Sequence, residues 1–146
     1  MRGRAERATT PWCHTGGMNR EVRPSTIAPP AANYAHAVHT EHAMRWLHTS
    51  GVVPTRPDGT VPAALADQAT VVWANLTAML AEADMRPGDV VSVTTYVVVD
   101  HLADLGVVMA ARDRALGGHR AASTLVTVPA LARPEWKMEI ALVAAR

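Results

Sequence analysis

The stretch VVSVTTYVVV, residues 90–99, decides how the rest of the chain must be arranged. Eight of its ten positions are β-branched, a composition that is stiff at χ1 and suits a pleated, buried strand. Val90, Ser92, Thr94 and Tyr96 alternate with Val91, Val93, Thr95 and Val97, so both faces of this strand carry apolar or semi-apolar surface. Immediately before it, Pro87 and Gly88 close a segment, residues 62–84, in which Leu65, Ala69, Val72, Trp73, Leu76 and Leu80 recur at spacings of three and four. That spacing predicts a long amphipathic helix, opened by Pro62 near its first turn. Immediately after it, Asp100 is placed to cap a second helix over 102–116, with apolar Leu105, Val108, Met109 and Leu116 and a Gly117, Gly118 stop. Strands over 122–128 and 137–144 complete the C-terminal half.

Further upstream, residues 35–39 and 44–49 read as two short strands joined by a polar turn at Glu41, which predicts a hairpin. Pro54 to Gly59 has the chemistry of a loop. The predicted order is β-β-α-β-α-β-β, an α+β domain with two helices covering one face of a sheet. The other face then needs a partner, and self-association is the economical solution. Residues 1–22 lack hydrophobic periodicity, so a poorly ordered extension is expected there, with residues 23–146 as a single domain and Met18 as a natural start.

Composition narrows the function classes. With 146 residues, 49% hydrophobic, the chain is long enough to build a core without metal or disulfide staples. Its 14 basic and 13 acidic residues include three basic and one acidic before Met18, which leaves the body one negative charge. Nucleic-acid binding is disfavoured on that count, and 4% aromatic residues, none of them Phe, provide no stacking platform. No run approaches the roughly 18 apolar residues of a membrane span, and no secretory signal is read, so a cytoplasmic location is expected. Cys13 reads as an incidental thiol. His36, His39, His42 and His48 fall within thirteen residues, but with no matching carboxylate or thiol they predict no metal site.

The residue with the most chemical promise is Glu139, the only acid in the last predicted strand. If the alternate residues Met138 and Ile140 face the helices, Glu139 points at the opposite, intersubunit face, where it could handle protons.

Several motifs in their order resemble the reactive intermediate deaminase family, the Rid or YjgF proteins. They are Ala28 to Pro30 followed by Tyr34 to Ala37; Ser50 and Gly51; Pro57 to Gly59; Gln68; Asn75 and Leu76; Asp89 to Val91; Thr94, Tyr96 and Asp100; and Glu139 with Ile140. The resemblance runs from about residue 24 to 145. It implies a chorismate-mutase-like fold and a homotrimer with an inner barrel and three small-molecule clefts between subunits. It also implies Glu139 as the cleft acid, with Tyr34, Ser50, Gly51 and Leu125 in cleft positions. Relatives that hydrolyse 2-imino acids hold the carboxylate with an arginine in a motif resembling Pro-Ala-Arg-Ser-Thr. Aligned on Ala121 to Thr124, that arginine is replaced by Ser123, and the glutamine that often follows Ser-Gly is replaced by Val52. Arg120 is the nearest substitute cation, although its strand parity is opposite to that of Ser123. The resemblance therefore implies a cofactor-free imine or enamine deaminase acting on something other than a standard 2-imino acid. The alternative is a trimer that binds a metabolite or a partner without catalysis.

Overall fold

The computed structural model describes residues 18–146. The elements in chain order are β1 (Asn19–Val22), β2 (Ala37–Thr40), β3 (Trp46–His48), α1 (Leu65–Glu82), β4 (Val90–Val98), α2 (Leu105–Leu116), β5 (Ala122–Val128) and β6 (Met138–Ala145). A mixed sheet runs β3-β6-β4-β5, with β4 parallel to β5 and antiparallel to β6. The helices pack on one face of it, and the domain is α+β as expected.

Two expectations need correction. The predicted hairpin between residues 35–39 and 44–49 does not pair with itself: β2 pairs with β1, and β3 pairs with β6. Main-chain bonds between Arg45 and Arg146 carry the chain across to the end of β6. The extension expected over residues 1–22 lies outside the described residues through position 17, Cys13 included, but its last four residues are β1. Only Val22 among them is apolar, so periodicity gave no sign of a strand. Tertiary bonds hold it instead: Asn19 Nδ2 donates to the Ala145 carbonyl at 2.8 Å, and Thr40 Oγ1 donates to Asn19 Oδ1 at 2.8 Å.

The helices lie within their predicted spans. α2 starts three residues late because Val99–Asp104 winds as 3-10 helix, so Asp100 is not its cap. α2 ends at Gly117 with φ 58°, the left-handed conformation that glycine adopts without strain. The core forms where the α1 stripe of Leu65, Ala69, Val72, Leu76 and Leu80 meets Val93 and Val97 of β4 and Met138, Ile140 and Leu142 of β6. By strand alternation the opposite face presents Ser92, Thr94 and Tyr96 of β4, Glu139, Ala141 and Val143 of β6, and Trp46 and His48 of β3. No helix among the described residues is long and apolar enough to cross a membrane.

One buried polar residue sets where β6 begins. Gln68 of α1 is fully buried; its amide donates to the carbonyls of Pro62 and Glu135, each at 2.8 Å, while its Oε1 accepts from Lys137 N at 2.8 Å. Replacing it with Ala would strand these groups and open a cavity. The expected cost for Gln68→Ala in urea denaturation is about 2–4 kcal/mol, and a loss below about 1 kcal/mol would contradict this role.

Candidate functional site

The residues singled out from the sequence gather at two opposite edges of the sheet. At the β3 and β6 edge, Val52 exchanges backbone bonds with Ile140, at 2.7 and 3.1 Å, and Thr49 N donates to the Leu142 carbonyl at 3.0 Å. Residues 49–52 thus continue the sheet edge beyond β3, with Ser50 and Gly51 looping between the two anchors. Glu139 lies beside this loop. Met138 and Ile140 are both 0% exposed under the helices, so Glu139 is forced to the other face. Its side chain lies across Gly51, where any Cβ would collide with its carboxyl group. The glycine is therefore a spatial requirement of the glutamate. Among the described residues, no side chain forms a hydrogen bond or ion pair with the Glu139 carboxylate.

Val52 does not belong to this site. It is 5% exposed and part of the hydrophobic core, because its bridge to Ile140 gives it that residue's helix-facing side.

At the β5 edge, Ala35 bridges Ala122 in parallel and its N–H donates to the Ala121 carbonyl at 2.9 Å, which lays Tyr34 alongside the strand. Tyr34, Ser123, Thr124 and Leu125, with Met109 and Arg112 of α2, line a cavity of about 370 Å³ whose mouth includes Ala32. Ser123 and Leu125 are opposite Val93 and Thr95 of β4, so both are on the helix-facing side. Ser123 and Glu139 consequently lie on opposite faces, two strand spacings apart across the sheet and three residues apart along it, about 14 Å in all. One chain does not bring them to a single small molecule.

Arg120 does not line the cavity that holds Ser123. Its Nη2 donates to the Tyr34 carbonyl at 2.6 Å and is 3.3 Å from Glu21 Oε1, and it lines a separate cavity of about 220 Å³ with Glu21, Arg23 and His36. Arg120 precedes β5, whose pairing with β4 runs from Ala122 to Val128 without a register shift. The hydrogen bond from Arg23, helped by the charges of Arg120 and Arg23, holds the Glu21 carboxyl below its usual range against the opposing effect of burial. Arg120 thus ties β1 to the start of β5 and to the Tyr34 loop.

The residue that sequence reading missed is Arg112. It is 6% exposed and sits among Val108, Ala111 and Leu116 on the buried stripe of α2. Its Nη1 donates to Ser123 Oγ at 3.3 Å and its Nη2 to the Asn33 carbonyl at 3.1 Å, while Nε and Nη2 both donate to Asp113 Oδ1, at 3.0 and 2.8 Å. A charged residue on an apolar helical stripe is the signal that could have found it, since arginine is seldom buried without partners. The four histidines disperse: His36 bonds the Ala28 carbonyl and meets Tyr34 edge-on, His39 lies by Arg20 and Glu41, His42 takes φ 55°, and His48 stacks on Trp46.

The fold has counterparts among known proteins. The family model described as Endoribonuclease L-PSP matches residues 25–146, nearly all of the described chain. The chain belongs to this family, the Rid or YjgF proteins. A Rid-family protein of unknown function from Yersinia pestis, YyfB, is similar with 33% identity and a TM-score of 0.80, over 88% of this chain and 99% of that one. The YjgF gene product of E. coli is similar at 27% identity and a TM-score of 0.64, over 87% and 98% of the two chains. A Thermotoga maritima protein described as a candidate endoribonuclease has 26% identity and a TM-score of 0.63, over 87% and 97%. No curated protein sequence matches the chain.

The contact between Gly51 and Glu139 is open to a direct check. Gly51 has no left-handed φ to protect, so Gly51→Ala is opposed chiefly by the glutamate. In a double-mutant cycle the alanine should cost about 1 kcal/mol of stability in the wild type and much less beside Glu139→Ala. Strictly additive costs would show that the two residues do not meet.

Proposed function

We propose that the protein hydrolyses a reactive imine or enamine in clefts formed where the β5 edge of one subunit meets the Glu139 face of β6 in the next. The carrying observation is Glu139, a carboxylate free of partners among the described residues, held in β6 on the face away from the helices over a glycine that leaves it room. The trimer comes from the resemblance to the Rid family and accounts for two facts: the uncovered sheet face, and the separation of Glu139 from Tyr34 and Ser123.

The chemistry needs little beyond position. Water adds to the carbon of a protonated C=N bond while Glu139 takes one of its protons, giving a neutral carbinolamine; that proton then goes to the nitrogen, and ammonia leaves as the C=O bond forms, the hydroxyl proton passing back to Glu139 and from it to the departing ammonia. For an enamine, protonation at the β-carbon first produces the imine. No cofactor enters this sequence. Ser50, Gly51 and Leu125 would orient the substrate, Tyr34 would pack on it, and Ser123 would replace an ionic anchor by a hydroxyl. Cleavage of RNA, the activity in the family description, finds little support in a body whose net charge is one negative.

Ser123 and Val52 in place of the motif's arginine and glutamine favour one competing reading, a trimer that binds a metabolite without converting it. The two separate in an assay on imines made in situ, 2-iminobutyrate from a dehydratase and an uncharged ketimine from an amine oxidase. Wild type should accelerate hydrolysis of at least one, and Glu139→Ala should reduce that rate by about a hundredfold. Unchanged turnover in Glu139→Ala would overturn the role given to the carboxylate, and binding with no product over hours would establish the competing reading.

A further inference from the structure

We propose that Arg112 and Ser123 form a donor pair that selects an uncharged carbonyl oxygen, that of a carboxamide, ester or ketone, over a carboxylate. This deepens the preceding reading and rests on it for the identity of the site. The case begins with a count of donors. A guanidinium carries five N–H groups. Four of Arg112's are used: Nε on Asp113, Nη2 on Asp113 and on the Asn33 carbonyl, and one Nη1 hydrogen on Ser123 Oγ. One Nη1 hydrogen is left without a partner among the described residues. Ser123 Oγ accepts from Arg112, so its own hydrogen is free to donate, and a hydroxyl that accepts from a cation is a stronger donor through polarisation. Both side chains line the 370 Å³ cavity.

The two donors thus available belong to different residues and lie on adjacent atoms, 3.3 Å apart. One oxygen with two lone pairs can accept from both. The paired, two-nitrogen edge with which arginine clamps a carboxylate is already committed to Asp113 and Asn33. Charge leads to the same conclusion. Asp113 neutralises Arg112, and the cavity's remaining lining, Tyr34, Met109, Thr124, Leu125 and Ala32, is uncharged. A carboxylate entering this space would lose its hydration without meeting an unpaired cation, whereas an amide or ester carbonyl would lose less and gain the same two bonds.

The test is binding, which does not require turnover. Complexes of the whole protein with 2-oxobutanamide and with 2-oxobutanoate are titrated by NMR, following the backbone amides of Ser123 and Leu125. Wild type should bind the amide at least about tenfold more tightly than the acid. Ser123→Ala should lose about tenfold of the amide affinity, Ser123→Thr should keep it within about threefold, and Arg112→Met should remove the preference between the probes. Ser123→Ala serves as the second variant should Arg112→Met disturb α2. Tighter binding of the acid, equal binding of both probes, or an unchanged Ser123→Ala would overturn the proposal. The readout is binding without turnover, so a failure of the catalytic reading at Glu139, seen only in the hydrolysis assay, is distinguished from a failure here.

Discussion

Strand parity in β6 is the constraint from which the rest follows. Met138, Ile140 and Leu142 must all be buried beneath α1, because no other residues of that strand are large enough to fill the space between sheet and helix. Burying them leaves Glu139 no choice of face. The cost of a one-residue slip would be the loss of three large side chains from the core, each contributing roughly 1.5–3 kcal/mol. The position of the carboxylate is thus enforced by packing energy that has nothing to do with chemistry. Gln68 adds to this by fixing the main chain at Lys137, two residues before the glutamate. Gly51 then removes the one atom that would obstruct it.

The same alternation in β5 has the opposite effect. Parallel pairing with β4 sets Ser123 against Val93 and Leu125 against Thr95, turning both toward the helices. They meet α2 there, which is why a helix residue, Arg112, reaches Ser123 while the strand-adjacent Arg120 does not. The two sides of the sheet thus differ, β6 presenting a carboxylate on the uncovered face and β5 a cavity with two donors under the helices. A sheet with one uncovered face and two unlike edges is suited to head-to-tail assembly, in which the edge of one copy completes that of the next.

Much of this was legible in the sequence because it depends on local patterns. The run at 90–99, the three-and-four spacing of 62–84 and the alternation around Glu139 are periodic signals, and each places its element within a few residues. The β2 and β3 pairing was not legible, since two short strands beside a polar turn look alike whether they pair with each other or with distant partners. β1 was hidden for a related reason: its pairing depends on Asn19 reaching Ala145, a contact 126 residues away in the chain. Of the residues proposed for the site, Glu139, Gly51, Tyr34 and Ser123 come from pattern and resemblance. Val52 misled because the bridge that buries it is tertiary. Arg112 escaped because the reading followed strand residues, although a guanidinium on the apolar stripe of α2 was there to be noticed.

Complementation between subunits tests the central claim, that one site is built from two edges of different copies, most directly. Glu139→Ala disables the β6 half, and Ala32→Trp, at an exposed lining position, fills the β5-edge cavity. Each variant alone should be inactive on an imine that the wild type turns over. Co-expressed in equal amounts in a closed ring, they should recover about one quarter of wild-type activity, since each cleft draws its two halves independently from neighbouring copies. Recovery no greater than the sum of the separate variants would contradict the account.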